Sequence, residues 1–379
     1  MRTMSARSLT VCQLLPALNA GGVERGSIEV ARALVAAGHR AIVVSAGGRM
    51  TEELATTGAE HITLPIGRKH PAVLATLPRL RRLLLERDVD IVHLRSRLPA
   101  WIGRMAAGLA PAAQRPRLVT TVHGPYTVNR YAHAMLCGDR IIAISEFIRG
   151  YITTNYPFVD PARIVVIPRG VSRVEYPSDY APPAGWRDGF DAEFPELAGR
   201  RWVVLPARLT HWKGQQDFIE VFARIASAHD DVVGVLVGGH DPERSAYRDQ
   251  LLAALAERDL RQRVVLTGHR NDLKDILASA ELAVSFTREP EAFGRTTIEA
   301  LSVGTPVIGY DHGGTGEILR RVYPAGLVTP LDLDAAAARL AAMLDDAPPV
   351  PAAHPYTLER MLEATLAVYS EITGVSVAS

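Results

Sequence analysis

The chain has 379 residues, more than one hydrophobic core usually serves, so two domains are expected. Hydrophobic residues make up 47% and charged residues 22%, which is typical of a soluble globular protein. No apolar run approaches the roughly 20 residues that span a bilayer, and the first residues lack a secretion signal, so a cytoplasmic protein is expected. The only two cysteines, Cys12 and Cys137, lack metal-ligand spacing and are interpreted as free thiols in a reducing compartment.

The net charge of +1 conceals an asymmetry between the two halves of the chain. Residues 1–170 contain 22 Lys and Arg against 11 Asp and Glu, whereas residues 171–379 contain 20 against 30. A basic first half favours an anionic acceptor or an anionic membrane surface as partner. A well-solvated arginine surface without a partner is the alternative.

The first half alternates short strand patterns with helical patterns. The predicted strands are residues 9–15, 41–45, 62–64, 90–94, 118–122, 140–144 and 164–168, and the predicted helices include 72–86 and 99–109. The turn Asn19-Ala20-Gly21-Gly22 separates the first strand from a helix that Gly38 ends. This alternation predicts a parallel sheet covered by helices on both faces.

A second alternating series follows an interruption. Residues 172–200 carry several Pro, Gly and aromatic residues without sustained periodicity and are interpreted as the interdomain connection. Strands are then predicted at 202–206, 232–237, 264–266, 282–285 and 306–309, with helices at 215–227, 247–257 and 273–278. A final helix at 358–372 has its own apolar stripe. The prediction is two doubly wound α/β domains.

Ligands of doubly wound sheets bind at the carboxyl ends of the strands, so functional residues are expected in the loops after strands. Between Thr287 and Leu319, Pro290 and Gly294 interrupt the chain and a helix is predicted from Thr296 to Val303. Unpaired N–H groups at that helix start suit a phosphate or a diphosphate. Two carboxylates, Glu291 and Glu299, would accept hydrogen bonds from sugar hydroxyls. The alternative is an ordinary helix-start Glu and a solvated Glu.

Three other loops carry candidate residues. Arg208 and Lys213 flank a loop that leads into a helix, which suits a diphosphate clamp that stabilises charge on a leaving group. His123 follows the strand 118–122, where an imidazole can donate to a sugar hydroxyl. Gly21 and Gly22 let the backbone approach a ligand closely. The alternative for Arg208 and Lys213 is that they are two ordinary basic residues. His123 could instead be a core or capping histidine, and Gly21 and Gly22 a plain tight turn.

The donor-side motifs together resemble a known family. Glu291-x7-Glu299, Gly304-Thr305-Pro306-Val307-Ile308 and Gly313-Gly314-x-x-Glu317-Ile318 look like the signature of group 1, family four, retaining glycosyltransferases of GT-B fold. The resemblance covers nearly the whole chain and is strongest over 202–319. It implies two facing Rossmann-like domains with an interdomain cleft, namely an acceptor-side domain at 1–172 and a donor domain at 173–356. Residues 357–379 would cross back onto the first domain.

The resemblance also implies roles for individual residues. A UDP- or GDP-sugar would be the donor and co-substrate, with no cofactor and no metal. The catalytic residues it implies are His123, Arg208, Lys213 and Glu291. The other donor-binding residues it implies are Gly21, Gly22, His269, Arg270, Phe293, Gly294, Arg295, Thr296 and Glu299. The main chain of residues 267–273 would pair with the nucleobase and Glu299 with the ribose. No side chain is an obvious base, so the resemblance implies a front-face reaction in which the departing diphosphate takes the acceptor proton.

The acceptor is the least determined partner. Residues 93–101 resemble lipopolysaccharide-core transferases, and the cluster Arg95-Ser96-Arg97 beside His93 could meet an acceptor anion. These features favour a bacterial envelope glycolipid, with the enzyme peripheral on the inner face of the plasma membrane and no nucleic-acid partner. The alternatives are a soluble sugar acceptor, a sugar-nucleotide epimerase of the same fold and a non-catalytic nucleotide-binding module. The pairs Asp88/Asp90 and Asp332/Asp334 resemble a metal-binding Asp-x-Asp only superficially, because the first opens a strand and the second caps a helix.

Overall fold

The computed structural model describes residues 7–19, 21–239 and 246–376. Ala20 of the predicted glycine turn and the last three residues of the predicted 357–379 segment lie outside these ranges. The chain divides into unit 1, Met1–Pro168 with Glu359–Ser379, and unit 2, Arg169–Leu358. The divisions predicted from the sequence are 172/173 and 356/357.

Unit 1 is built on a parallel sheet of seven strands in the order β3-β2-β1-β4-β5-β6-β7. The strands are Thr10–Leu14 (β1), Arg40–Ser45 (β2), Glu60–Thr63 (β3), Ile91–Leu94 (β4), Arg117–Val122 (β5), Arg140–Ala143 (β6) and Ile164–Val166 (β7). Every residue of β1 and β4 is buried, as expected for central strands covered on both faces. The strand order reverses between β1 and β4, where doubly wound sheets bind ligands.

Helices connect the strands of unit 1. They are Gly22–Ala36 (α1), Thr51–Ala55 (α2), Leu77–Glu86 (α3), Arg97–Gly108 (α4) and Glu146–Asn155 (α5). The predicted helix 72–86 is in fact a 3₁₀ segment, Pro71–Thr76, followed by α3. A second 3₁₀ helix, Arg130–Leu136, follows β5. Ser145 caps α5, because its hydroxyl accepts a hydrogen bond from the Ile148 N–H at 3.1 Å.

Unit 2 repeats the architecture with six parallel strands in the order β10-β9-β8-β11-β12-β13. The strands are Arg201–Pro206 (β8), Val232–Val237 (β9), Val264–Gly268 (β10), Leu282–Ser285 (β11), Val307–Tyr310 (β12) and Leu327–Val328 (β13). The helices are Trp186–Glu193 (α6), Gln215–Ile225 (α7), Ala246–Glu257 (α8), Leu273–Ser279 (α9), Arg295–Ser302 (α10), Gly313–Val322 (α11) and Leu333–Asp345 (α12). Asp332 caps α12 through the Ala335 N–H at 2.9 Å.

The last helix, Leu358–Thr373 (α13), packs on unit 1. The side chain of Tyr369 is fully buried there, and its hydroxyl lies 2.6 Å from Nδ1 of His93 on β4. Glu371 forms an ion pair with Arg140 at the start of β6. Within the described residues, no helix has both the length and the apolarity to cross a bilayer.

The segment 172–200 is more regular than its sequence suggests. It contains α6, and Phe190 and Leu197 pack against Trp202 of β8 in one hydrophobic cluster. The interpretation of this segment as the interdomain connection was wrong, because it belongs to unit 2 and its aromatic residues pack in the core of that unit. Near the two points where the chain passes between the units, Val171 forms a parallel β-bridge with Thr357. The Val171 N–H donates to the Tyr356 carbonyl at 3.0 Å.

Candidate active site

The predicted donor residues of unit 2 lie after β8, β10 and β11, and the loops after β8 and β11 lead into α7 and α10. Arg208 and Lys213 belong to the loop after β8. Gly214 ends this loop with a φ of 79°, and a Cβ at this position would overlap the carbonyl oxygen of Phe286 just after β11. Only glycine fits that conformation and that approach, so the loops after β8 and β11 are held in close contact.

Lys213 is the charged centre of this edge. Its Nζ contacts Oε1 of Glu291 in the loop after β11, and both side chains are mostly buried. Burial lowers the pKa of the Lys213 ammonium to about 8, with a smaller effect from the positive charge of Arg208. Arg208 therefore lies within electrostatic reach of Lys213. Its own side chain is exposed and has no hydrogen-bond or ion-pair partner among the described residues.

Glu291 is also tied to the start of α11. Its carbonyl accepts a hydrogen bond from the Gly314 N–H at 2.8 Å, and its Oε2 accepts one from the Thr315 hydroxyl at 3.4 Å. Gly294, the N-cap of α10, has a φ of 88°, and a Cβ there would lie 2.7 Å from the Thr315 hydroxyl. The N-terminal ends of α10 and α11 consequently meet beside the Lys213–Glu291 pair.

The start of α10 offers further hydrogen-bonding groups. The first N–H groups of any helix lack partners within that helix, and here they belong to Arg295, Thr296 and Thr297. The Thr297 hydroxyl is buried and has no hydrogen-bond partner among the described residues, and the same is true of Thr210 in the loop after β8. Buried polar groups normally find a partner, so these two hydroxyls suit a polar ligand.

Glu299 lies on α10 and is buried. Its Oε1 accepts a hydrogen bond from Arg295 Nε at 2.7 Å, one helical turn earlier. The carboxylate that was predicted to accept from a ribose thus already pairs with one guanidinium. Phe293 precedes α10, and its ring packs edge-on against Tyr356 with centroids 5.8 Å apart.

The loop after β10 carries the predicted residues His269 and Arg270. His269 is exposed and lies against Gly239. A Cβ added to Gly239 would lie 3.2 Å from the Cβ of His269. The Arg270 guanidinium binds the carboxylates of Asp272 and Glu193 at 2.7 to 2.9 Å, and the hydrogen bond to Asp272 raises its pKa. This guanidinium is therefore neutralised, and a role for Arg270 through its main chain stays a prediction.

The predicted residues of unit 1 lie at the carboxyl ends of β1 and β5. Gly21 and Gly22 begin α1, and the Glu24 carboxylate turns back to within 2.7 Å of where a Cβ on Gly21 would be. His123 follows β5 and is half-buried, and its backbone N–H donates to the Tyr126 hydroxyl at 3.3 Å. The Arg97 guanidinium lies over the Tyr126 ring, 5.1 Å from its centroid.

The expectation that the cluster Arg95-Ser96-Arg97 beside His93 meets an acceptor anion was wrong for Arg95, and His93 is interior as well. His93 is fully buried, and its ring nitrogens lie 2.6 Å from the Tyr369 hydroxyl and 2.7 Å from the Thr121 hydroxyl. Arg95 is also buried, and its guanidinium donates to Gln13 Oε1 at 2.6 and 3.0 Å. Both residues build the interior around α13. Neither is exposed to an acceptor: His93 lies on the central strand β4, which is covered on both faces, and Arg95 directly follows that strand and is 2% exposed.

A buried carboxylate that was not predicted from the sequence, that of Asp217, supports the loops after β8 and β11. Asp217 in the first turn of α7 is 1% exposed and accepts hydrogen bonds from Arg288 Nε at 3.0 and 3.2 Å and from the Tyr310 hydroxyl at 2.9 Å. The Arg288 N–H donates to the Trp212 carbonyl at 2.8 Å. Asp217 therefore fixes the loop that carries Lys213 to the loop that carries Glu291. The available signal was an acidic residue on the apolar face of α7, beside Phe218 and Val221.

The described residues include no group of three or more His, Cys, Asp and Glu side chains that could hold a metal ion. The polar groups gathered in unit 2 are instead two cations, two carboxylates, hydroxyls and helix N-termini. These groups can bind an anion and a polyhydroxyl group side by side.

Family comparisons agree with this arrangement. Residues 20–174 match the family model for glycosyltransferase family 4, and residues 190–356 match that for glycosyl transferases group 1. The chain belongs to the family 4 and group 1 glycosyltransferases. The second match contains every predicted donor-binding residue of unit 2 that is described above, so the family assignment and the predictions concern the same loops.

Individual relatives of this glycosyltransferase have low sequence identity to it. It is 28% identical over 205 residues to the lipopolysaccharide core biosynthesis mannosyltransferase LpcC of Rhizobium leguminosarum bv. viciae, covering 52% of this chain and 57% of that protein. Matches to the first curated relatives span between 45% and 61% of their length.

Solved structures align over almost the whole chain. A glycosyltransferase from Rickettsia africae ESF-5 superposes with a TM-score of 0.82 at 27% identity, over 96% of this chain and 98% of that one. HepE of Anabaena in complex with UDP-glucose superposes with a TM-score of 0.76 at 19% identity, over 96% and 100%. The two parallel-sheet units of this glycosyltransferase thus form the GT-B architecture that the sequence predicted.

Proposed function

We propose that this glycosyltransferase moves a sugar from a UDP- or GDP-sugar to an acceptor hydroxyl, with retention of anomeric configuration and without a metal. The observation that carries the proposal is the gathering of Lys213, Arg208 and Glu291 at helix N-termini in unit 2. Cations and helix N-termini suit a diphosphate, and a neighbouring carboxylate suits sugar hydroxyls.

The proposed reaction begins when the donor separates an ion pair. Its diphosphate takes the Lys213 ammonium from Glu291 and adds Arg208 and the first N–H groups of α10. Glu291 is then able to accept hydrogen bonds from the hydroxyls of the sugar, and Glu299 from those of the ribose. His123 is assigned to the transferred sugar, as the family resemblance implies.

Bond cleavage places negative charge on the nucleoside diphosphate that leaves. Lys213, Arg208 and the helix N-termini stabilise that charge, and this electrostatic effect is the main source of rate in the proposal. The acceptor hydroxyl attacks from the face that the diphosphate leaves, and its proton passes to a diphosphate oxygen. No protein base is required in this front-face reaction.

We further propose an anionic envelope glycolipid as acceptor, reached from the inner face of the plasma membrane. The name of the Rhizobium relative, a lipopolysaccharide core transferase, and the basic first half of the chain support this choice. HepE, whose structure contains UDP-glucose, favours a uridine donor over a guanosine donor.

Two experiments test the proposal. A thermal-shift screen with UDP and GDP identifies the base, because only a bound nucleotide raises the melting temperature. Incubation with UDP- and GDP-sugars, with and without envelope lipid extract, then tests transfer. Label that enters lipid supports the proposal. Donor isomerisation without acceptor indicates an epimerase, and nucleotide binding without turnover indicates a binding module. Label that enters only a soluble sugar overturns the glycolipid assignment.

A further inference from the structure

The loop after β10 carries main-chain N–H and C=O groups that pair with no other described residue. The pairing of β10 with β9 shifts in register between Leu266 and Gly268, and Gly268 has a φ of 73°. Irregularities of this kind are frequent next to functional sites. The main-chain groups of His269, Arg270 and Asn271 then form no hydrogen bond within the described part of the chain. They are therefore available to a ligand that presents donors and acceptors along one edge.

This loop adjoins the proposed diphosphate site through the loop after β9. The Gly239 carbonyl accepts a hydrogen bond from the N–H of Leu209, the residue after Arg208, at 3.0 Å. Gly239 in turn lies against His269. Because neighbouring strands are about 4.8 Å apart, the ends of β8 and β10 lie roughly 10 Å from each other. A ribose and a base can span that distance from a diphosphate held at Arg208.

The Arg270 side chain fixes this loop to α6. Its Nη1 donates to the two carboxylate oxygens of Glu193 at 2.8 and 2.9 Å, and its Nε and Nη2 donate to those of Asp272 at 2.8 and 2.7 Å. The guanidinium also lies over the Phe190 ring, 5.1 Å from the centroid. A diphosphate gains little from a guanidinium that two carboxylates already neutralise. The Arg270 side chain is therefore suited to hold the loop and not to bind the donor.

Helix α6 is itself anchored in the core of unit 2. The centroid of the Phe190 ring lies 5.2 Å from that of Trp202, a fully buried residue of β8, and the Trp186 ring stacks on Phe190 at 5.0 Å. The Trp186 indole N–H also donates to Asp272 Oδ2 at 3.1 Å. One helix that is packed on the sheet thus holds the loop after β10 at two residues, Arg270 and Asp272.

We propose that Arg270 is a positioning residue that lets the loop after β10 select between nucleobases. Main-chain groups distinguish the edge of uracil from that of guanine only if the loop cannot shift to suit either one. The bridge from Arg270 to Glu193 supplies that restraint, and the main chain of residues 269–271 makes the contacts. The inference rests on the proposed function, because it requires a nucleoside diphosphate donor.

Calorimetric titration of the full chain tests this role. The probes are UDP, GDP and inorganic pyrophosphate, which has no base. Arg270→Met keeps an unbranched side chain over Phe190 but removes the bridge to Glu193 and Asp272. We expect this variant to bind the preferred nucleotide about tenfold more weakly and to bring the UDP and GDP affinities closer together. Its affinity for pyrophosphate should equal that of the wild type, because the diphosphate site is unchanged.

Glu193→Gln is a milder second variant, since that carboxylate is 52% exposed, and it should weaken nucleotide binding about threefold. The matched control is Glu257→Gln, whose carboxylate pairs with Arg258 at 3.4 Å and is 73% exposed. It should leave all three affinities unchanged.

Two results would overturn the inference. One is nucleotide affinity equal to the wild type in both Arg270→Met and Glu193→Gln, and a lower melting temperature beside it would show a purely structural role. The other is a pyrophosphate affinity that falls in step with the nucleotide affinity, because the change would then act on the whole site. If the wild type binds neither UDP nor GDP, the proposed function and this inference fail together. If the wild type and the variants bind them equally, the inference alone fails.

Discussion

Lys213 and Glu291 form an ion pair although they lie 78 positions apart in the chain. Each is assigned to a different part of the donor, Lys213 to the diphosphate and Glu291 to the sugar. The pair therefore keeps two buried charges satisfied until a donor replaces both contacts, since an unpaired buried charge is costly. Four predictions follow from this pair and its surroundings.

Replacement of Lys213 by Ala should lower kcat on the order of 100- to 1000-fold, the usual effect of removing one group that stabilises transition-state charge. The melting temperature should fall as well, because the change leaves the buried Glu291 carboxylate with the Thr315 hydroxyl at 3.4 Å but without its ion-pair partner. Steady-state kinetics and calorimetry measure the two effects. Lys213→Arg serves as the control that retains the charge. A kcat equal to the wild type in Lys213→Ala would reject the clamp.

Nucleotide affinity should depend on pH through Lys213. Its pKa is lowered to about 8, so the ammonium that attracts a diphosphate is present below that pH and is lost above it. UDP affinity measured by calorimetry should thus fall as pH rises through about 8, by up to about tenfold per pH unit. The Lys213→Arg variant should show a flat profile over this range, because arginine stays charged. A wild-type profile as flat as that of the variant would contradict the assignment.

Replacement of Asp217 by Asn should loosen both donor loops. The change removes the charge that holds Arg288, so we expect a loss of about 1–3 kcal/mol in the free energy of unfolding. Because Arg288 contacts the Lys213 loop, the KM for the donor should rise as well. Chemical denaturation and donor kinetics measure these effects. Asp334→Asn is the matched control, since that carboxylate pairs with Arg224 but is 91% exposed. Equal effects of the two changes would deny Asp217 a positioning role.

Removal of divalent cations should leave the transfer rate unchanged. In the proposed reaction Lys213, Arg208 and helix N-termini supply the positive charge that a metal ion supplies in other transferases. Initial rates are compared in EDTA, in EDTA with excess magnesium, and in magnesium alone. A rate that EDTA abolishes and magnesium restores would show that a cation belongs to the site.

The strands could be predicted from the sequence because short branched-residue runs recur at regular spacing in both halves. The ends of β9 and β11 were even predicted to the residue. Helix α6 was not predicted because Pro183 and Gly185, just before it, indicate a loop. The helix is short, and its stability comes from packing on Trp202. Propensity rarely reveals such an element.

Contacts between residues that lie far apart in the sequence could not be predicted either. His93 and Arg95 follow the same pattern as surface loop residues, and only the return of α13, with Tyr369 at 2.6 Å from His93, shows that they are interior. Asp217 likewise contacts Arg288, which lies 71 positions later in the sequence. The family motifs, by contrast, are local in sequence, and so Lys213, Glu291 and their loops could be proposed as donor-binding without coordinates.

The placement of α13 on unit 1 affects synthesis of the protein on the ribosome. Residues up to Pro168 leave the exit tunnel first, yet the helix that covers His93 emerges only after all of unit 2. Domains usually fold in the order of translation. Here the nascent chain must complete its second unit while the first still lacks one layer, so the later-made unit is the earlier to be finished.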